Sequence, residues 1–87
     1  MRVLYAKDFA RMLGRLPKDI QLLYLSQEQI LAQNWQDTRL HLKKLKGKPI
    51  TFSFRITRSY RAFFYFQAPD EVVLYAIGHR KDIYRNL

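Results

Sequence analysis

Ile50-Thr-Phe-Ser-Phe-Arg-Ile56, continued across Thr57-Arg-Ser59 by Tyr60-Arg-Ala-Phe-Phe-Tyr-Phe-Gln67, is the stretch that decides the fold. Apolar and polar residues alternate without a break in the first run, the period of a strand with one buried face. The second run is largely aromatic and ends at Ala68-Pro69-Asp70, a turn, before an apolar segment resumes from Glu71 to Ile77. Connections this short join antiparallel neighbours, so the three segments predict a meander. A three-residue loop at 57–59 sets Ile56 opposite Tyr60 and Arg55 opposite Arg61. Phe52, Phe54, Ile56, Tyr60, Ala62 and Phe64 then share one face, and Ser53, Arg55, Arg61, Phe63 and Tyr65 the other. A slip of one residue would put Arg61 among the phenylalanines, so burial selects this register. A four-residue turn at 68–71 sets Gln67 opposite Val72 and Arg61 opposite Gly78. Arg80 then faces the same side as Arg55 and Arg61, and the three guanidinium groups converge on one patch floored by the Gly78 backbone.

Upstream the period changes. Phe9, Met12, Leu13 and Leu16 fall at i, i+3, i+4 and i+7, one face of a short helix. Asp8 stands near its start, where the helix dipole favours a carboxylate. Pro17 ends this segment and suits the first turn of the next. Ile20, Leu23, Tyr24, Ile30 and Leu31 carry the stripe to about Gln33, with Gln27 midway. Two helices joined at Pro17 predict a helical hairpin, and Arg2 to Ala6 a short strand before it. Trp35 to Pro49 has no clean period; Leu40, Leu42 and Leu45 tack it onto the core. The expected fold is α+β, a single domain over residues 1–87. In it a short N-terminal strand and a helical hairpin pack on one face of a small twisted antiparallel sheet.

Composition narrows the function. The chain of 87 residues is 48% hydrophobic and 15% aromatic, which marks a folded protein. Without cysteine there is no disulfide, zinc–thiolate site or thiol catalysis. His41 and His79 are too few and too far apart for an imidazole metal site, and three glycines exclude a G-x-x-x-x-G-K phosphate loop. No metal and no cofactor is expected. No apolar run approaches the roughly 20 residues of a membrane span, and the N-terminus does not read as a signal peptide. A soluble, cytoplasmic protein with no membrane partner is the resulting expectation.

The positive signal is charge. Sixteen Lys and Arg against seven Asp and Glu leave +9, with a pI near 10.2. Between Asp37 and Asp70 no acid occurs, while Arg39, Lys43, Lys44, Lys46, Lys48, Arg55, Arg58 and Arg61 all lie there. Such a balance points to a polyanionic partner, or to a solvated basic face. Three arginines on adjacent strands repel one another, which asks for an anion between them. Guanidinium groups bind phosphate bidentately and keep their charge at any working pH. Phe63 and Tyr65 on the same face offer surfaces on which unstacked bases could lie, or else form core beneath the loop around Leu45.

Ile56-Thr-Arg-Ser-Tyr-Arg61, the aromatic strand after it, and Ala76-Ile-Gly-His-Arg-Lys-Asp-Ile-Tyr84 resemble the RelE/ParE superfamily of bacterial toxins, as does Leu45-Lys-Gly47 ahead of the sheet. The resemblance spans essentially the whole chain. It implies the toxin of a type II toxin–antitoxin pair, neutralised by an acidic, partly disordered antitoxin. Members similar to RelE cut mRNA on the ribosome without metal, through attack of a ribose 2′-hydroxyl on the adjacent phosphate. Carried over by position, Arg61 and Arg80 match the phosphate-stabilising arginines, and Tyr84 the tyrosine that stacks on or protonates near the scissile nucleotide. Arg55 falls where one family lysine stands. These four are the expected catalytic residues. Lys43, Lys44, Lys46, Lys48, Arg58, Phe63, Tyr65, His79 and Lys81 are the expected RNA contacts. Ser53 departs from the pattern, standing where a base-like lysine is expected, and serine is a poor base. His79 has the side-chain type suited to proton transfer, although strand alternation turns it toward the helices; His41 lies in the basic stretch. The alternative implied is a ParE-like toxin that binds and inhibits DNA gyrase and cuts nothing.

Overall fold

The computed structural model describes residues 1–86, the side chain of Asn86 apart. Strand β1 (Arg2–Tyr5) leads into helices α1 (Phe9–Gly14) and α2 (Lys18–Gln33). A 3-10 turn at Thr38–Leu40 and a two-residue strand β2 (Lys43–Lys44) follow, then β3 (Thr51–Arg55), β4 (Tyr60–Ala68) and β5 (Glu71–His79). A one-turn helix α3 (Arg80–Ile83) and a 3-10 turn close the chain. The five strands lie in the order β1-β5-β4-β3-β2. The meander β3-β4-β5 is antiparallel as the alternation predicts, and β2 extends it. However, β1 adds to β5 in parallel, so the whole sheet is mixed rather than antiparallel. The α1–α2 hairpin carries the chain from β1 at one edge of the sheet toward β2 at the other, and the meander then runs back until β5 pairs with β1.

The β3–β4 register matches the expectation: Arg55 pairs with Arg61, Phe54 with Ala62 and Phe52 with Phe64. Along β4–β5, Arg61 does pair with Gly78, but Val72 pairs with Phe66, not Gln67. Two irregularities offset each other: Tyr75 is the extra residue on β5, and Gln67 the extra residue on β4. A bulge leaves one residue out of the alternation, which simple counting from the turn cannot see.

Burial explains why the register holds. Phe9, Tyr24 and Leu31 from the helices meet Phe54, Ala62, Phe64 and Leu74 from the sheet, all 1% exposed or less. Each such large side chain contributes roughly 1.5–3 kcal/mol on burial. The opposite face has a smaller core of Leu45, Phe63 and Ile83, made when α3 folds back across the sheet. Gln27 serves as a polar strut: its Nε2 donates to the carbonyls of Arg55 at 2.7 Å and Arg39 at 3.1 Å. It thereby ties α2 to the end of β3 and to the segment before β2.

A second tie joins β1 to α2, where Tyr5 and Tyr24 both donate to Oε1 of Glu28. Partial burial, the Glu28 hydrogen bond and its charge push Tyr5 up to about 12, and burial pushes Tyr24 up as well. Raised folded values mean that this stability is complete below the unfolded tyrosine value of about 10 and is lost as pH climbs through the folded values. Spectrophotometric titration at the tyrosinate band should show Tyr5 ionising near 12, and Glu28→Gln should bring it down toward 10. Native Tyr5 titrating near 10 would contradict the tie.

Candidate functional site

The convergence begins with strand pairing. Arg55 ends β3 directly opposite Arg61 on β4, so both project on the face away from the helices. Arg58 rides the loop between these strands. Arg80 opens α3, and its backbone N–H donates to the Ser59 carbonyl at 2.7 Å, lashing the helix start to that same loop. Arg55, Arg58, Arg61, Arg80 and Tyr84 thus line one cavity of about 660 Å³. Its other wall is the segment His41–Lys46, which brings Lys43, Lys44 and Lys46. Seven cationic side chains and no carboxylate line it.

Arg61 is the centre of this arrangement and is 7% exposed. Its Nε donates to Ser53 Oγ at 3.0 Å, and one terminal nitrogen donates to the carbonyls of His41 at 2.8 Å and Ser53 at 3.2 Å. All three acceptors are neutral, and no carboxylate among the described residues pairs with it. Burial pushes the guanidinium below its ordinary value; Tyr84 opposes that push and Arg55 adds to it. The charge is held in place without being neutralised.

Two residues build the bracket. Ser53 is fully buried, and its Oγ also lies 3.3 Å from the Tyr84 hydroxyl. It therefore holds Arg61 and Tyr84 together. His41 adopts the left-handed conformation (φ 46°, ψ 54°), rare outside glycine, asparagine, aspartate and histidine, and its carbonyl meets Arg61. His41 lines the cavity. Tyr84 sets its ring edge against Phe63, centroids 5.1 Å apart, and remains 39% exposed.

Other expected site residues lie elsewhere. Phe63 is 0% exposed, sealed by Leu45 and Ile83, and offers no stacking surface. Gly78 does not floor the cavity; Ile83 stands over it. His79 packs on Tyr60 with centroids 5.3 Å apart, and its Nδ1 accepts from the Lys81 N–H at 3.2 Å, capping α3. That is a structural post outside the arginine cavity, although Arg80 follows it directly in the chain. Lys81 is exposed on α3 outside the cavity, while Lys48 and Tyr65 line a separate one. Sequence reasoning missed β2, whose two exposed lysines carry no apolar signal, and the His41 carbonyl, for which a sequence holds no sign at all.

No protein-family model matches the chain, and no curated protein does. Solved structures do. The RelB–RelE antitoxin–toxin complex from Methanococcus jannaschii matches at 27% identity and TM-score 0.75, over 97% of this chain and 98% of that one. The archaeal RelE–RelB complex from Pyrococcus horikoshii OT3 matches at 21% identity and TM-score 0.75, over 93% and 96%. A YoeB/ParE toxin from Agrobacterium tumefaciens matches at 12% identity and TM-score 0.76, over 92% and 99%. With near-complete overlap in both directions and the same α+β architecture, this chain has the fold of the RelE/YoeB/ParE-like toxins, and its full-length likeness to the RelE complexes is consistent with the RelE/ParE superfamily.

Proposed function

We propose that the protein is the toxin of a type II toxin–antitoxin pair and an endoribonuclease that cleaves mRNA at the ribosome without metal. The observation that carries this reading is the meeting of Arg55, Arg61, Arg80 and Tyr84 in one acid-free cavity. The reaction is internal to the RNA: the ribose 2′-oxygen bonds to phosphorus while the bond from phosphorus to the 5′-oxygen breaks. The products are a 2′,3′-cyclic phosphate and a 5′-hydroxyl end. Negative charge builds on the phosphoryl oxygens, and fixed cations stabilise it best where water is excluded. Arg61, preset by Ser53 and His41, supplies the fixed cation; Arg55 and Arg80 close on the phosphate from either side.

Two protons must move. His41 is the only histidine among the described residues that line the cavity, and we assign it the 2′-hydroxyl proton. Tyr84 gives its hydroxyl proton to the departing 5′-oxygen and recovers one from water. Lys43, Lys44, Lys46 and Arg58 bind flanking phosphates, an interaction that weakens steeply with salt. The partners are the translated message and an acidic antitoxin, since a chain of +9 attracts an anionic one. A ParE-like gyrase inhibitor is the second reading; it is favoured by the buried Ser53, which cannot serve as a base.

With translating ribosomes and a defined message, the purified protein should produce fragments ending in 2′,3′-cyclic phosphate. Arg80→Ala should slow cleavage about 100-fold or more. Intact message together with inhibited DNA supercoiling would establish the second reading instead. Separately, Ser53→Ala removes the acceptor of Arg61 Nε and should lower unfolding stability by about 1–3 kcal/mol. Denaturant unfolding measures this, and an unchanged midpoint would contradict the bracket.

A further inference from the structure

The β2–β3 turn joins the arginine cavity to a second one. Lys43 to Lys46 line the first; Gly47, Lys48 and Pro49 line the next, with Thr51, Tyr65 and Tyr75. This second cavity holds about 310 Å³, the lower end of the range for small ligands. Tyr65 lies four residues along β4 from Arg61 on the same face, roughly 13 Å away at strand rise. Tyr75 is the bulged residue of β5, and the bulge turns its ring to this face, where it meets the Tyr65 ring at 5.7 Å. Both residues are partly buried, Tyr75 against Phe63, and neither hydroxyl has a hydrogen-bond partner among the described residues. By contrast Phe63, between Arg61 and Tyr65 on β4, is sealed.

The turn above these rings is held in an unusual shape. Gly47 has φ 75°, and Ile50 has φ 53° while 56% exposed. A β-branched residue in the left-handed region is a true backbone outlier, kept only where surroundings impose it. Here the Ile50 carbonyl accepts from Phe66 N–H at 3.0 Å, and Leu45 N–H donates to the Thr51 carbonyl at 2.9 Å. Those bonds clamp the turn and set Lys48 and Pro49 beside the tyrosines.

We propose that the Tyr65–Tyr75 cavity is a nucleobase subsite for the same RNA strand, one that receives a base displaced from the scissile phosphate. An unstacked base lies against the tyrosine rings, the free phenolic hydroxyls reach its edge, and Lys48 meets the adjoining phosphate. The lysines of the 43–48 segment track the backbone between the two cavities. The inference rests on the RNA-cleaving reading and adds to it where the strand runs after leaving the arginines.

The test is binding of short fluorescent single-stranded RNAs, with a 2′-deoxy nucleotide at the cut position, to the full chain. One abasic nucleotide is moved along the strand. Abasic substitution at a single position away from the cut should weaken binding about tenfold, in line with the loss of one base–aromatic stack. Tyr65→Ala should weaken the intact RNA by a similar factor and make it indifferent to that abasic position. The RNA-side change keeps the result independent of how the variant folds. Binding that depends on Arg61 and Arg80 but is unmoved by every abasic position and by Tyr65→Ala overturns the subsite alone. Binding unaffected by Arg61→Ala and Arg80→Ala overturns the RNA reading and the subsite together.

Discussion

A buried guanidinium with only neutral partners is the constraint around which the rest of this protein is organised. Taking the Arg61 charge out of water is costly, and the hydrogen bonds it donates from Nε and one terminal nitrogen to Ser53 and His41 compensate part of that cost without cancelling the charge. Arg55 beside it makes the local potential more positive still. Such an arrangement is poorly justified by stability. Under the proposed function it suits an anion bound in the cavity, since preset cations need no reorganisation when charge develops.

The fold supplies the rigidity this needs. Phe54, Ala62 and Phe64 lock β3 to β4 from the helix side, so Arg55 and Arg61 on the far side inherit a fixed register. Gln27 holds the Arg55 carbonyl through the edge of that core, and the Arg80 N–H is fixed to Ser59. The cavity is therefore framed by backbone ties, while its lysines remain free to adjust to a flexible strand. The smaller core under Tyr84 has a different role: Phe63 and Ile83 carry the tyrosine on a packed floor, within reach of Ser53.

Much of this was legible in the alternation of Phe52, Phe54 and Ile56 against Ser53 and Arg55, because a period of two admits one register when one face must be buried. The helical hairpin was equally plain from its stripe and Pro17. What sequence could not give falls into two kinds. Bulges at Tyr75 and Gln67 shift pairing without changing composition, and β2 is too short to show a pattern. Backbone atoms acting as ligands, such as the His41 carbonyl, leave no trace in side-chain identity. Phe63 and His79 misled for a common reason: each faces a direction that counting predicts, but α3 folds back to cover the first and uses the second as its cap.

The most direct measurement of the central idea follows the arginine Nε–H resonances while a nucleoside 2′,3′-cyclic phosphate, the product end of the proposed reaction, is added. Those of Arg55, Arg61 and Arg80 should move together with one dissociation constant that weakens as salt rises, and the Tyr84 ring signals should follow. Arginine signals that stay still while shifts gather on another surface would contradict an anion site built around Arg61.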